Sequence, residues 1–248
     1  VTITVSTAKL IDTLTDALQT ADNAVGGVHL ATHRAPWRDE PGNVDLLAFT
    51  STDRYTVGHT WIPVDGQLVA SVWPVENAAT VLTICKSLLS RRGKEHTVDI
   101  DLTHAEPLPD AEDDENPGWV VTLSETPALF ASDTEFQFHA HPEDKFPIRS
   151  MRRVLRFAEY PFSEDEEPLE ETALTLWSPG ILAPLVAVAK RRKMSMQFFR
   201  SSFRRLQVVQ IGDTWLGAAI PGTPLPGEHG EQPSIEPIFA EFDLVGAE

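Results

Sequence analysis

The sequence predicts a layered α+β protein made of repeats of one strand, one helix and three strands, with the helices on one face of antiparallel sheets. Three observations predict it. Apolar residues recur at helical spacing in three segments and follow strand-like patterns through most of the remainder. The helical segments sit at equivalent places in a repeated layout. Each repeat has one helix to cover one sheet, which favours a layered arrangement over a doubly wound one.

The elements follow in order. Residues 2–5 alternate as a short strand, and Ser6 or Thr7 can cap a helix over 9–20 whose apolar face carries Leu10, Ile11, Leu14, Ala17 and Leu18. Strand-like runs follow at 27–32, 45–51, 55–63 and 68–73, with Asp65-Gly66 as a turn. Pro74 opens a second helix over 75–89, at a helix start where its missing N–H is harmless. Cys85 lies on the apolar stripe of that helix with Val81, Leu82 and Leu89, and reads as a small core residue. Strands at 97–102, 119–124 and 128–140 complete the unit, and the acidic loop 110–118 interrupts them. Residues 142–172 read as a basic linker followed by an acidic exposed loop. A last unit then has a strand at 173–177, a helix at 179–192 and strands at 194–199, 206–211 and 215–220. The tail from 222 is rich in Pro, Gly and Glu. The expected division is a domain over 1–145, the linker and loop over 146–172, and a shortened domain over 173–248.

The repeat is explicit at an offset of 104 residues. Trp73 matches Trp177, Ala79 matches Ala183 and Lys86 matches Lys190, while Val81, Leu82 and Ile84 meet Leu185, Val186 and Val188.

The composition sets bounds. A chain of 248 residues holds one or two domains and can bury a core without covalent staples. A single cysteine excludes an intrachain disulfide and a cysteine-rich metal site, and suits a reducing, cytoplasmic setting. No apolar run reaches the roughly 18 residues of a membrane-spanning helix, and the first residues lack the basic start and apolar core of a signal peptide.

The net charge of −17 argues against a tight nucleic-acid binder. The distribution argues differently. Residues 145–205 hold 12 of the 20 cations, and Arg91, Arg92 and Lys94 form another cluster. Acids concentrate in 110–115, 164–171 and the tail. The pattern suits an acidic body with one basic surface toward an anionic polymer, through loose, salt-sensitive phosphate contacts.

Three stretches carry a family resemblance. LAFTSTDRYTVGH (47–59) resembles the Ala-Thr-Asp-Gly-x-Arg-Leu stretch of the bacterial β sliding clamps, with Arg54 in place of the usual Gly. KFPIRSMRRVL (145–155) resembles their interdomain Phe-Pro-Asp-Tyr-Arg-Arg-Val-Leu linker, with two extra residues. TWLGAAIP (214–221) resembles their last strand, keeping Pro221 but not the methionines and arginine that follow. Those clamps have three domains, whereas this chain has room for one and about half of the next, as in a shortened phage or mobile-element protein.

The resemblance implies a protein without catalytic residues, cofactor or metal. It implies a homo-oligomeric ring, with a trimer favoured, that encircles double-stranded DNA and tethers a replicative polymerase. Helix cations would meet phosphates without reading bases: Lys9, Lys86, Arg91, Arg92, Lys190, Arg191, Arg192 and Lys193. Peptides of the polymerase and the clamp loader would dock in a pocket formed by Thr52, Tyr55, Val57, Pro147, Arg153, Val154, Ile220 and Pro221. The tail segment IFAEFDL (238–244) has the apolar and acidic character of such a peptide, and also reads as an added edge strand.

Two alternatives stay open. One is a clamp-like binding module without ring closure, favoured by a first helix that pairs its single Lys9 with Asp12 and Asp16. The other is a metal hydrolase using His139 and His141, which alternate on one strand near Asp133 and Glu143.

Overall fold

The computed structural model describes residues 2–38, 40–106, 117–126, 135–156, 176–201 and 206–222. Residues 110–116 of the expected acidic loop, the acidic run at 164–171, Asp133, residues 173–175 of the expected strand and the tail segment 238–244 lie outside them.

The first unit is β1 (Thr2–Ser6), α1 (Thr7–Ala17), β2 (Val28–Pro36), β3 (Asn43–Thr52) and β4 (Thr56–Pro63). The second is β5 (Ser71–Trp73), α2 (Val75–Arg92), β6 (Thr97–His104), β7 (Trp119–Glu125) and β8 (Glu135–Pro142). A short linker helix, α3 (Ile148–Val154), leads to α4 (Pro179–Arg192), β9 (Met196–Arg200), β10 (Gln207–Ile211) and β11 (Trp215–Ala219). All strand pairs are antiparallel and form one sheet in the order β1-β6-β7-β8-β5-β2-β3-β4-β11-β10-β9. The α+β class and the strand–helix–three-strand plan are therefore present.

Two departures have local causes. Leu68 does not extend β5, because its N–H and C=O are both bonded to the Thr32 hydroxyl, at 2.8 and 2.9 Å, rather than to a strand. The basic linker contains a helix, not only loop. Pro147 stands at its N-cap, where a proline costs no helical hydrogen bond, and Ser150 and Met151 donate back to its carbonyl.

Two apolar cores form. The larger joins Leu10 and Leu14 of α1, Val81 and Cys85 of α2, and inward residues such as Phe49, Trp73 and Ile100. Burial pushes the Cys85 thiol up to about 12, as suits a core residue rather than a reactive one. The smaller joins Leu185 and Val188 of α4 to Val209, Ile211 and Trp215. The 104-residue repeat is visible in burial. Val81 and Leu185 are both fully buried, and Lys86 and Lys190 are both exposed. It diverges where Leu82 is buried and Val186 is 44% exposed.

The cores meet at the β4–β11 pairing, where Gly58 faces Gly217. A Cβ on Gly217 would lie 2.6 Å from the Val57 carbonyl and 2.2 Å from the Trp215 ring, and one on Gly58 would lie 2.4 Å from Thr20 Oγ1. Glycine is thus the residue this junction admits at both positions.

Candidate functional site

The sheet presents two chemically different faces. On β3, Leu47 and Phe49 point to the helix side and into the core, so Ala48, Thr50 and Thr52 point to the opposite side. The linker helix α3 lies across that opposite side.

Along one flank of α3 runs an apolar cleft of about 210 Å³. Thr52 and Val57 come from β3 and β4, Pro147 and Val154 from the linker, and Tyr55 and Ile220 from the rim. Six of the eight residues expected in a docking pocket, drawn from three distant stretches of sequence, therefore line one cleft. Arg153 and Pro221 do not line it. The missing contributors include Met151, Leu206 and Val25. Met151 had a signal, since residues 147, 151 and 154 share one face at helical spacing; Leu206 and Val25 had none. The volume exceeds the ~150 Å³ of an apolar cavity that holds benzene, so one aromatic or aliphatic side chain fits.

Local bonding holds the rim. Thr52 Oγ1 donates to the Thr56 carbonyl at 2.7 Å and accepts from Arg54 N at 3.1 Å. Asp53 Oδ1 accepts from Tyr55 N and Thr56 N. This tight turn forces Arg54 to φ 79°, the left-handed region that a glycine adopts freely. Tyr55 is left 61% exposed, and its carbonyl accepts from Ile220 N at 3.2 Å.

On the helix side, the eight expected cations separate into two groups. Lys9, Lys86, Arg91, Lys190 and Lys193 are exposed. The other three hold acids of the chain, and Arg92 remains 41% exposed while doing so. Arg92 donates from Nε and Nη2 to the two oxygens of Glu125, at 3.1 and 3.3 Å, and holds that buried carboxyl below the ordinary carboxylate value. Arg191 reaches from α4 to α1, donating to Asp12 at 2.8 Å and through two nitrogens to Asp16. Arg192 donates to Asp16 at 2.8 Å, Thr214 at 2.8 Å and Thr60 at 3.0 Å. Asp16 is fully buried, so these guanidiniums compensate a charge that could not otherwise stay inside. The acids that made α1 look unfavourable for an anionic polymer thus tie α1 to α4.

His139 and His141 are exposed on β8. Among the described residues no three His, Cys, Asp or Glu side chains converge as metal ligands. No described helix is long and apolar enough to cross a membrane.

No protein-family model and no curated protein matches the sequence. Solved structures do match. The DNA polymerase III subunit beta from Pseudomonas aeruginosa superposes with a TM-score of 0.54 at 11% identity, over 96% of this chain and 67% of that one. The beta subunit from Thermotoga maritima gives 0.52 at 13% identity, over 96% and 67%. The DNA polymerase sliding clamp from Bacillus subtilis gives 0.54 at 11%, over 94% and 67%. At such identities the likeness is one of architecture: this chain has the DNA sliding-clamp fold, over about two thirds of the length of those clamps.

Proposed function

We propose that this protein is a sliding clamp-like processivity factor, a homo-oligomeric ring that encircles duplex DNA and tethers a replicative polymerase without catalysing a reaction. The carrying observation is the separation of surfaces. Lys9, Lys86, Arg91, Lys190 and Lys193 are exposed on or at the ends of α1, α2 and α4 on one side of the sheet. The apolar cleft lies on the other, beside a linker helix that has its own exposed Arg149, Arg152 and Arg153. A protein that passes DNA on one side and holds a partner on the other requires that arrangement. In this reading Lys9, Lys86, Arg91, Lys190 and Lys193 meet phosphates, and Thr52, Tyr55, Val57, Pro147, Val154 and Ile220 receive an apolar anchor from polymerase or loader peptides. The chain divides into a domain over 1–145, a linker to 172 and a shortened domain beyond. It acts in the cytoplasm, in the manner of a phage or mobile-element protein.

Self-association is supported by β9. It is the last strand of the sheet, with Phe198 and Phe199 about 40% exposed and Met194 beside them 49% exposed. The sequence reading favours three copies.

The test is native mass by light scattering, with and without nicked circular DNA. A closed oligomer retained on circles and lost from linear ends supports the ring. A monomer at micromolar concentration that ignores DNA refutes encirclement. That result would promote the second reading, a peptide-binding module without ring closure, which the pairing of Arg92, Arg191 and Arg192 with acids of the chain favours.

A further inference from the structure

A second cleft, of about 240 Å³, lies on the same side of the sheet along the other flank of α3. The same strands build both. Two residues back from Thr52 on β3 is Thr50, two on from Val57 on β4 is His59, and two back from Ala218 on β11 is Leu216. The linker helix divides them: Ile148, Arg152 and Leu155 face this cleft, and Pro147, Met151 and Val154 face the apolar one.

The chemistry of the second cleft is different. His29, His33, His59 and Arg152 line it, with no lining carboxylate. His29 is fixed, stacked on Phe146 with ring centroids 5.5 Å apart and bonded through Nε2 to Glu143 at 3.1 Å. His59 uses Nδ1 to bond Thr50 Oγ1 at 2.8 Å, which leaves Nε2 as its remaining polar atom. Desolvation lowers all three imidazoles, His59 to about 4, so they are neutral at pH 7. Arg152 is exposed and makes no salt bridge among the described residues, so it sets the charge of the lining. Glu143, the acid beside the cleft, is engaged by His29.

We propose that this cleft receives a carboxylate side chain of the same peptide whose apolar residue fills the neighbouring cleft, an inference that rests on the docking reading above. The clefts lie on the two flanks of α3, and a helix is about 10–12 Å across with its side chains. An extended peptide at about 3.3 Å per residue therefore passes over it from one cleft to the other in about three to four residues. Arg152 supplies a charge-assisted hydrogen bond that a neutral peptide cannot use. The partner is therefore an acidic–apolar peptide with its acid about three to four residues from its anchor. IFAEFDL, the sequence of residues 238–244, has that composition and spacing, and as a synthetic peptide it is a suitable probe.

The experiment is calorimetric titration of the full chain and of Arg152→Gln with IFAEFDL and with its neutral counterpart IFAQFNL, while histidine nitrogen signals are followed by NMR. The expected result is that IFAEFDL binds about tenfold more tightly, a difference of about 1.4 kcal/mol, that the His33 and His59 signals move, and that Arg152→Gln abolishes the preference. Equal binding of both peptides overturns the carboxylate inference and leaves the docking cleft standing. Failure of both to bind overturns the docking reading and the inference together. Acetate alone, at equal carboxylate concentration, moving the same signals as IFAEFDL would show a free-anion site and overturn the peptide assignment.

Discussion

Replacing Asp16 with Asn tests whether the buried ion cluster couples the two cores. The wild-type carboxylate is fully buried at the end of α1, with Arg191 Nε at 2.7 Å and Arg192 Nε at 2.8 Å. The carboxamide keeps the volume but removes the charge, and it turns one acceptor into a donor facing donors. Breaking a buried pair from one side costs about 3–5 kcal/mol, because the partner charges stay behind. Here the lower end applies. Arg191 keeps Asp12 and is 27% exposed, and Arg192 keeps the Thr60 and Thr214 hydroxyls. A loss of about 3 kcal/mol lowers Tm by roughly 6–12 °C in a chain of this size. The structure also says where the loss appears. This cluster joins α1 of the larger core to α4, beside the β4–β11 pairing. Unfolding in urea, followed by tryptophan fluorescence and far-UV circular dichroism, should change from one transition to two, with the β9–β11 unit melting first. The Asp16→Asn/Arg192→Gln double variant should recover part of the loss, since neighbours in one network are not additive. A loss under about 1 kcal/mol with a single unchanged transition would refute the coupling.

Other outcomes follow from the same geometry. Gly217→Ala should weaken the β4–β11 junction by about 1–3 kcal/mol, the range for overpacking, and should split the melt as Asp16→Asn does, read by the same urea titration. Tyr55→Ala should leave stability within about 0.5 kcal/mol, as an exposed substitution does, but should reduce partner-peptide affinity at least tenfold in calorimetry if Tyr55 is a rim anchor. Lowering the pH from 7.5 to 5 should cost stability. His59 binds its proton near 4 when folded and at 6.5 when unfolded, so below 6.5 the unfolded chain takes up protons the folded chain refuses. The loss by pH 5 is about 2 kcal/mol from His59 alone, and His59→Gln should flatten that part of the urea-midpoint profile. The Lys190→Glu/Lys193→Glu variant should weaken association with open linear DNA and reduce its salt slope by up to about two phosphate contacts, while leaving peptide binding unchanged in calorimetry.

What the sequence discloses and what it withholds divide along physical lines. The strand–helix plan was legible because burial on one face imposes a period on each segment, and the periods of α1, α2 and α4 are intact. The apolar cleft was legible through three short stretches whose side chains it gathers. Helix α3 was not, because seven residues beside a proline are too few for their spacing to distinguish a helix from a loop, and they fold against the sheet only in context. The roles of Arg191 and Arg192 were not legible for a related reason. A run of four cations at a helix end looks solvated until the fold brings Asp16, 175 positions earlier, beside it. The histidine cleft is the extreme case, since its three imidazoles come from β2 and β4 at spacings that announce nothing.

The net charge of −17 bears on how such a protein could stay on DNA. In the proposed ring, Lys9, Lys86, Arg91, Lys190 and Lys193 cannot outweigh an acidic body by affinity. Each phosphate contact is worth a salt slope of only about 0.9, so a few contacts dissociate readily at physiological salt. Weak contact would defeat a protein that grips its ligand, yet it is what a protein held by topology needs, because a tightly bound ring would not slide. The internal ion pairs then serve both ends at once. Under the proposed ring reading, the pairs of Arg191 and Arg192 with Asp12 and Asp16 tie α4 to α1, which a ring needs to keep its shape, and they occupy guanidiniums that would otherwise grip phosphates. On this argument retention on closed circles should persist at salt concentrations that abolish binding to open linear DNA, and the geometry of closure, not the count of cations, decides whether the protein holds on.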